Sequence, residues 1–140
     1  MTTKEWLRRA RDLNRLIDAK LADRDRALEL ACQCTAVLSE DKVQTSHGNT
    51  SEDRMIKYVE YTREIDDLID KLLKLKLEIN TVISTVNDYR LQTVLIEYYI
   101  NCKTWEQVAE SMSYDKRHVT RLHGQALQKI KMPFYVPINL

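Results

Sequence analysis

Leu7, Ala10, Leu13, Ile17, Leu21, Leu28 and Ala31 recur at steps near three and four residues, with one turn skipped at Arg24. That spacing lines one face of an α-helix and predicts an amphipathic helix from about Lys4 to Leu38. The opposite face carries Arg8, Arg9, Arg11, Arg15, Asp18 and Lys20. Thr2 and Glu5 have the spacing of a capping box, in which two side chains satisfy the orphan amides of a helix start. The stretch from Ser39 to Ser51 is almost without apolar residues, contains Gly48 and predicts a loop.

A second periodic segment opens at Thr50 or Ser51, either of which supplies a capping hydroxyl, and Glu52 and Asp53 suit the positive end of its dipole. Ile65, Ile69, Leu72, Lys76, Ile79, Ile83 and Val86 alternate steps of four and three, a heptad seam broken once by Lys76. Two long amphipathic helices joined by a polar loop most simply form an antiparallel hairpin. The same seam is also able to face a second copy of the chain, so a homodimer through the hairpin stays open.

Asn87-Asp88 interrupts the pattern, and Asp88 is placed to cap a new helix running to about Ile100, with Leu91, Val94, Leu95, Tyr98 and Tyr99 facing the core or its edge. Asn101-Cys102-Lys103 ends it, with Asn101 suited to the left-handed conformation of a helix stop. Thr104 with Gln107 forms another capping box, Ser113-Tyr114 a tight corner, and Asp115 the cap of a last helix through Lys131. The predicted organisation is therefore all-α: residues 1–88 as a helical hairpin with its loop at about 39–51, residues 89–131 as a unit of three short helices, and 132–140 as an apolar tail that packs on the core or a partner.

Composition agrees with long helices. The chain of 140 residues has two glycines and two prolines, both prolines (Pro133 and Pro137) in the tail. No apolar run is long enough to span a membrane, and MTTKEWLRRARDL carries charge where a secretory signal needs apolar residues, so a cytoplasmic location is expected. Three cysteines (Cys32, Cys34 and Cys102) without metal-ligand spacing read as free thiols. Net charge is +1, but it is unevenly spread. Residues 1–100 hold 16 Lys/Arg against 18 Asp/Glu, whereas residues 101–140 hold six against three.

The last two helices have the layout of a helix-turn-helix. Val108, Ala109 and Met112 would hold the first against the second, and the small Ala109 allows close approach. Val119, Leu122, Ala126, Leu127 and Ile130 form the inward stripe of the second. With that stripe buried, Lys116, Arg117, Thr120, Arg121 and Gln125 face outward near the helix start, where a recognition helix meets base edges in the major groove. Lys103, Thr104, Trp105 and His118 sit where backbone phosphates would lie.

TWEQVAESMSYDKRHVTRLHGQALQKI resembles region 4 of the sigma-70 family, the part that reads the −35 promoter element. The shared features are the capped Thr-x-x-Gln opening, Val-Ala, the corner, the polar cap, then Lys-Arg-x-Val-x-Arg-Leu and Ala-Leu-x-x-Ile. More narrowly, the chain resembles small sigma-like regulators of phages and prophages, with Val43, Gln44 and Ser46 in a polar loop. The resemblance implies base reading by Lys116, Arg117, Thr120 and Arg121, and RNA polymerase as a partner. Where sigma region 4 has glycine at the corner and after Asn101, this chain has Ser113 and Cys102. It also lacks a counterpart of the aromatic, basic helix that melts the −10 region, so the resemblance does not imply a self-sufficient sigma factor.

No catalytic motif stands out: there is no HExxH, no glycine-rich phosphate loop and no nucleophile with a base at helical spacing, so neither enzyme activity nor a cofactor is expected. His118 and His123 point different ways on a helix, with His123 beside Leu127, and are not expected to share a metal. The acidic run Glu64, Asp66, Asp67 and Asp70 reads as a solvated face. The expected function is a transcription regulator that binds double-stranded DNA. The rival expectation is a non-catalytic helical adaptor or anti-regulator that binds RNA polymerase or another protein through the hairpin.

Overall fold

The computed structural model describes residues 1–38 and 51–132, and these are all-α, with no strand among them. The expectations for residues 39–50, for the tail beyond Met132 and for the side chains of Ala31 and Cys34 lie outside the described part. Helix α1 spans Thr3–Leu38, α2 spans Ser51–Ile83, α3 spans Tyr89–Leu95 and continues into a π-helical turn at Ile96–Ile100, α4 spans Trp105–Met112 and α5 spans Lys116–Lys129. The chain divides into two compact units, Arg15–Lys71 and Met1–Asn14 with Leu72–Leu140.

In the Arg15–Lys71 unit, residues ascending α1 meet residues descending α2. The Lys20 ammonium donates to Glu64 at 2.6 Å, and the Tyr61 hydroxyl donates to Asp23 at 3.1 Å. Arg24 lies over the ring of Tyr58. This order is antiparallel. Among the described residues of this unit the buried apolar ones are Ile17 and Ile65, and polar pairs flank them.

The other unit holds the larger core. Trp6, Leu7 and Ala10 of α1 are buried, as are Leu72, Ile79, Val82 and Ile83 of α2 and most inward positions of α3 to α5. The caps form as their spacing predicts. Thr2 and Glu5 exchange their reciprocal bonds, Asp88 accepts from the Arg90 amide, and Asp115 accepts from the His118 amide. Each satisfies amides that the first helical turn leaves without an internal partner.

Two expectations for this unit are corrected. Arg11, placed by periodicity on the solvated face, is 8% exposed. Its Nη1 donates to the carbonyls of Tyr98 at 2.6 Å and Lys103 at 2.9 Å, and its guanidinium lies 4.0 Å from the centre of the Tyr98 ring. A charged donor is retained in this interior because it satisfies carbonyls that the end of the π turn leaves over. Asn101, expected in the left-handed region, instead has φ −84°, and Cys102 takes that conformation at φ 57°. The π turn explains the shift: the Asn101 amide still bonds back to Ile96, five residues earlier, so reversal waits one residue longer.

Candidate nucleic-acid interface

The site is built from α4, the corner and α5. Thr104 and Gln107 complete the capping box that starts α4. Ser113 ends that helix in the left-handed conformation at φ 59°, and the Tyr114 amide closes the corner on the Ala109 carbonyl at 3.0 Å. A residue with a Cβ in this region carries a cost of about 1 kcal/mol, small beside the packing that the corner permits. Val108 and Ala109 are buried, as are Val119, Leu122 and Ala126 of α5, so the inward stripe is largely that expected; Met112 and Leu127 are half-buried.

Burying that stripe turns Lys116, Arg117, Thr120, Arg121 and Gln125 outward, and all five are exposed. They are not equivalent. The Lys116 ammonium is held by Glu106 of α4 at 2.7 Å, and the pairing keeps the Glu106 carboxyl below its usual range. The Thr120 hydroxyl donates back to the Lys116 carbonyl at 2.8 Å, which leaves its methyl as the outward group. No hydrogen bond or ion pair among the described residues engages Arg117 or Arg121. The open cationic character at the start of α5 is therefore concentrated on two guanidinium groups, each able to present a planar fork to a guanine edge or a phosphate.

The residues expected to meet phosphate lie at the start of α4 and in the first turn of α5. The Thr104 hydroxyl is engaged in its cap, and the Lys103 ammonium pairs with Glu97, whose carboxyl is lowered chiefly by that bond. Trp105 stacks on Tyr98 with ring centres 3.8 Å apart and planes 8° apart. Because Arg11 lies as close to Tyr98, it occupies the other face, giving a layered Arg11–Tyr98–Trp105 stack. His118 is set edge-on to Tyr114 at 4.5 Å.

His123 is buried behind this surface. Its Nε2 lies 2.7 Å from the Tyr99 hydroxyl, and its ring meets Trp105 edge-on at 4.6 Å. Burial, with a smaller contribution from the positive charge of Lys4, lowers its pKa to about 4, and burial pushes the Tyr99 phenol upward. Both rings are therefore neutral at neutral pH. The Tyr99 hydroxyl has no other acceptor among the described residues, so its hydrogen is directed at Nε2.

Beside the Arg11–Tyr98–Trp105 stack and the Tyr99–His123 pair, two more features escaped sequence reasoning. Glu106, as the partner of Lys116, lies ten residues away across the corner, at a spacing that no helical rule connects. Gly124 shares the face of Arg117, Thr120 and Arg121 by the steps of three and four along α5. A Cβ added there would meet no atom of the described residues within 4 Å, so packing among them gives no reason for glycine, although glycine costs a helix interior about 1 kcal/mol. Its position among the exposed residues was the available signal.

Among the described residues no group of three His, Cys, Asp or Glu side chains is placed to hold a metal, and no helix is long and apolar enough to cross a membrane. Fold and surface together define an all-α protein whose last two helices meet at a left-handed corner and present an exposed polar and cationic face. The chain belongs to the family of proteins of unknown function DUF1492, whose model matches residues 33–131. No curated protein and no solved structure matches it.

Proposed function

We propose that this protein is a sequence-specific, sigma region 4-like transcription regulator of phage or prophage type that reads a promoter or operator element through α5. One observation carries the reading: Arg117, Thr120, Arg121 and Gln125 share an exposed face at the start of a helix braced by α4, and neither arginine is engaged by another described residue. Arginine forks discriminate guanine, glutamine discriminates adenine, and a threonine methyl suits thymine. Lys116 would exchange Glu106 for phosphate on binding. A single module of this size neutralises few phosphates, so RNA polymerase or a second copy of the chain would supply the remaining affinity.

Selection of the purified protein against a random duplex library, at low and near-physiological salt, tests this. A shared motif is expected, and changing Lys116, Arg117 and Arg121 together to Ala should weaken binding to it by about a hundredfold. Gly124→Ala belongs in the same assay. It should raise helix stability by about 0.5–1 kcal/mol, yet weaken DNA binding if the α5 backbone approaches the duplex at that point. Equal binding by Gly124→Ala would remove that close approach and leave the arginine reading intact.

The adaptor reading is favoured by a different observation. Leu73 and Leu77, one turn apart on α2, are 56% and 70% exposed, an apolar patch suited to a protein partner. Recovery of no DNA motif at either salt, with RNA polymerase absent or added, would establish the adaptor as the better account.

A further inference from the structure

Lys4, Arg8 and Arg11 follow one another at steps of four and three, which places them on one stripe of α1. Arg11 fixes where that stripe lies. Its guanidinium donates to the carbonyls of Tyr98 and Lys103 and covers the Tyr98 ring, so the stripe runs beside the connection that opens α4. Lys4, about two turns earlier, acts through its positive charge on His123, whose ring meets Trp105 at the start of α4. By steps of three and seven, His123 shares an edge of α5 with Thr120 and Lys116. Lys4 and Arg8 are both exposed, and no hydrogen bond or ion pair among the described residues engages either. The neighbouring acid Glu5 is turned back to Thr2 in the amino-terminal cap. A cation in the first turn opposes the helix dipole, so Lys4 adds nothing to the stability of α1. The groups at the start of α4 are already engaged within the fold: Lys103 with Glu97, Thr104 in its cap and Trp105 in its stack. Free cations for a phosphate over the start of α4 therefore come from α1.

We propose that Lys4 and Arg8 contact backbone phosphates of the duplex and carry the DNA interface from α4 and α5 onto the amino-terminal turns of α1. The inference rests on the reading of α5 as the base-reading helix, and adds the part that holds the duplex without reading it. Such contacts are blind to sequence, since every nucleotide offers the same phosphate. Each contact formed releases counterions, so its signature is the dependence of affinity on salt. Arg11 does not touch DNA in this arrangement; it positions the stripe by tying α1 to the Tyr98 and Lys103 carbonyls.

Fluorescence anisotropy of the full chain with two labelled duplexes, one carrying the selected motif and one scrambled, tests it across a series from low to near-physiological salt. Lys4→Gln with Arg8→Gln should lower the slope of log affinity against log salt by about two, close to one per lost contact. The same variant should weaken binding to both duplexes alike, by about tenfold at low salt. Lys4→Arg with Arg8→Lys keeps both charges and should restore the slope. Lys129→Gln with Lys131→Gln, at the other end of α5, should leave it unchanged. The Lys116, Arg117 and Arg121 triple variant should instead lose the preference for the motif. An unchanged slope in the Lys4 and Arg8 variant, beside a wild type that still prefers its motif, would overturn the α1 contacts and leave the α5 reading intact. An equal fall in slope for the Lys129 and Lys131 variant would also overturn them, because any two surface cations would then serve. A wild type with no preference for any motif would overturn the α5 reading, and this inference with it.

Discussion

Arg11→Ala is expected to destabilise the unit that carries α3 to α5 by about 3 kcal/mol, among the largest losses for any single truncation outside its apolar core. One guanidinium nitrogen donates to two carbonyls, those of Tyr98 and Lys103, just where the chain leaves the π turn and enters α4. Removing it leaves both acceptors without their charged donor, and each such bond contributes about 1.5–3 kcal/mol. The stack on Tyr98 adds about 1 kcal/mol, and water entering the vacated space would recover part of the total. Arg11→Met separates the contributions, because it keeps the apolar stem and loses the donors. Urea unfolding followed by tryptophan fluorescence is the suitable measurement, since Trp6 and Trp105 both belong to this unit. If Arg11→Met proves as stable as the wild type, the stem matters and the carbonyl bonds do not.

The second large effect is a loss of stability in mild acid that His123 controls. Its pKa is about 4 in the folded chain against an ordinary 6.5. Between those values the unfolded chain takes up a proton that the folded one refuses, so stability falls as pH drops through the window. Above 6.5 the neutral ring contributes fully, and below 4 both states are protonated and the contribution is gone. The whole window corresponds to about 3 kcal/mol. His123→Gln keeps an acceptor for the Tyr99 hydroxyl and cannot titrate. Urea midpoints at pH 7.5, 6 and 5 should therefore fall steeply for the wild type and much less for the variant. Glu97 and Glu106 also lose their partners in acid, but their lowered values place that loss at lower pH and in both proteins equally. Parallel slopes for the two proteins would mean that His123 is accessible to protons in the folded state.

Much of the candidate interface was legible because its determinants are local. Thr104 finds Gln107 three residues on, Asp115 finds the His118 amide at the same distance, and Val119, Leu122 and Ala126 repeat at helical steps. The outward set from Lys116 to Gln125 then follows from geometry, since burying one stripe of a helix exposes the other. What periodicity could not supply was the chemical state of those side chains. Lys116 reads like Arg117 in sequence, yet Lys116 is paired with Glu106 and Arg117 has no such partner among the described residues.

The same division runs through the whole chain. Sequence alone determined the all-α class, the helix starts and most of the buried faces, because capping and amphipathic burial depend on residues within about one or two turns of each other. Only tertiary structure decided that Arg11 is a buried donor and that Trp105 stacks on Tyr98 beneath a neutral His123. The π turn at Ile96–Ile100 shifts the reversal by one residue and leaves carbonyls for an arginine some 87 to 92 positions away in sequence. Burial then fixes the charge of the histidine, since a low-dielectric surrounding disfavours the protonated ring. Those outcomes depend on groups brought together only by folding, and no local pattern of residues encodes them.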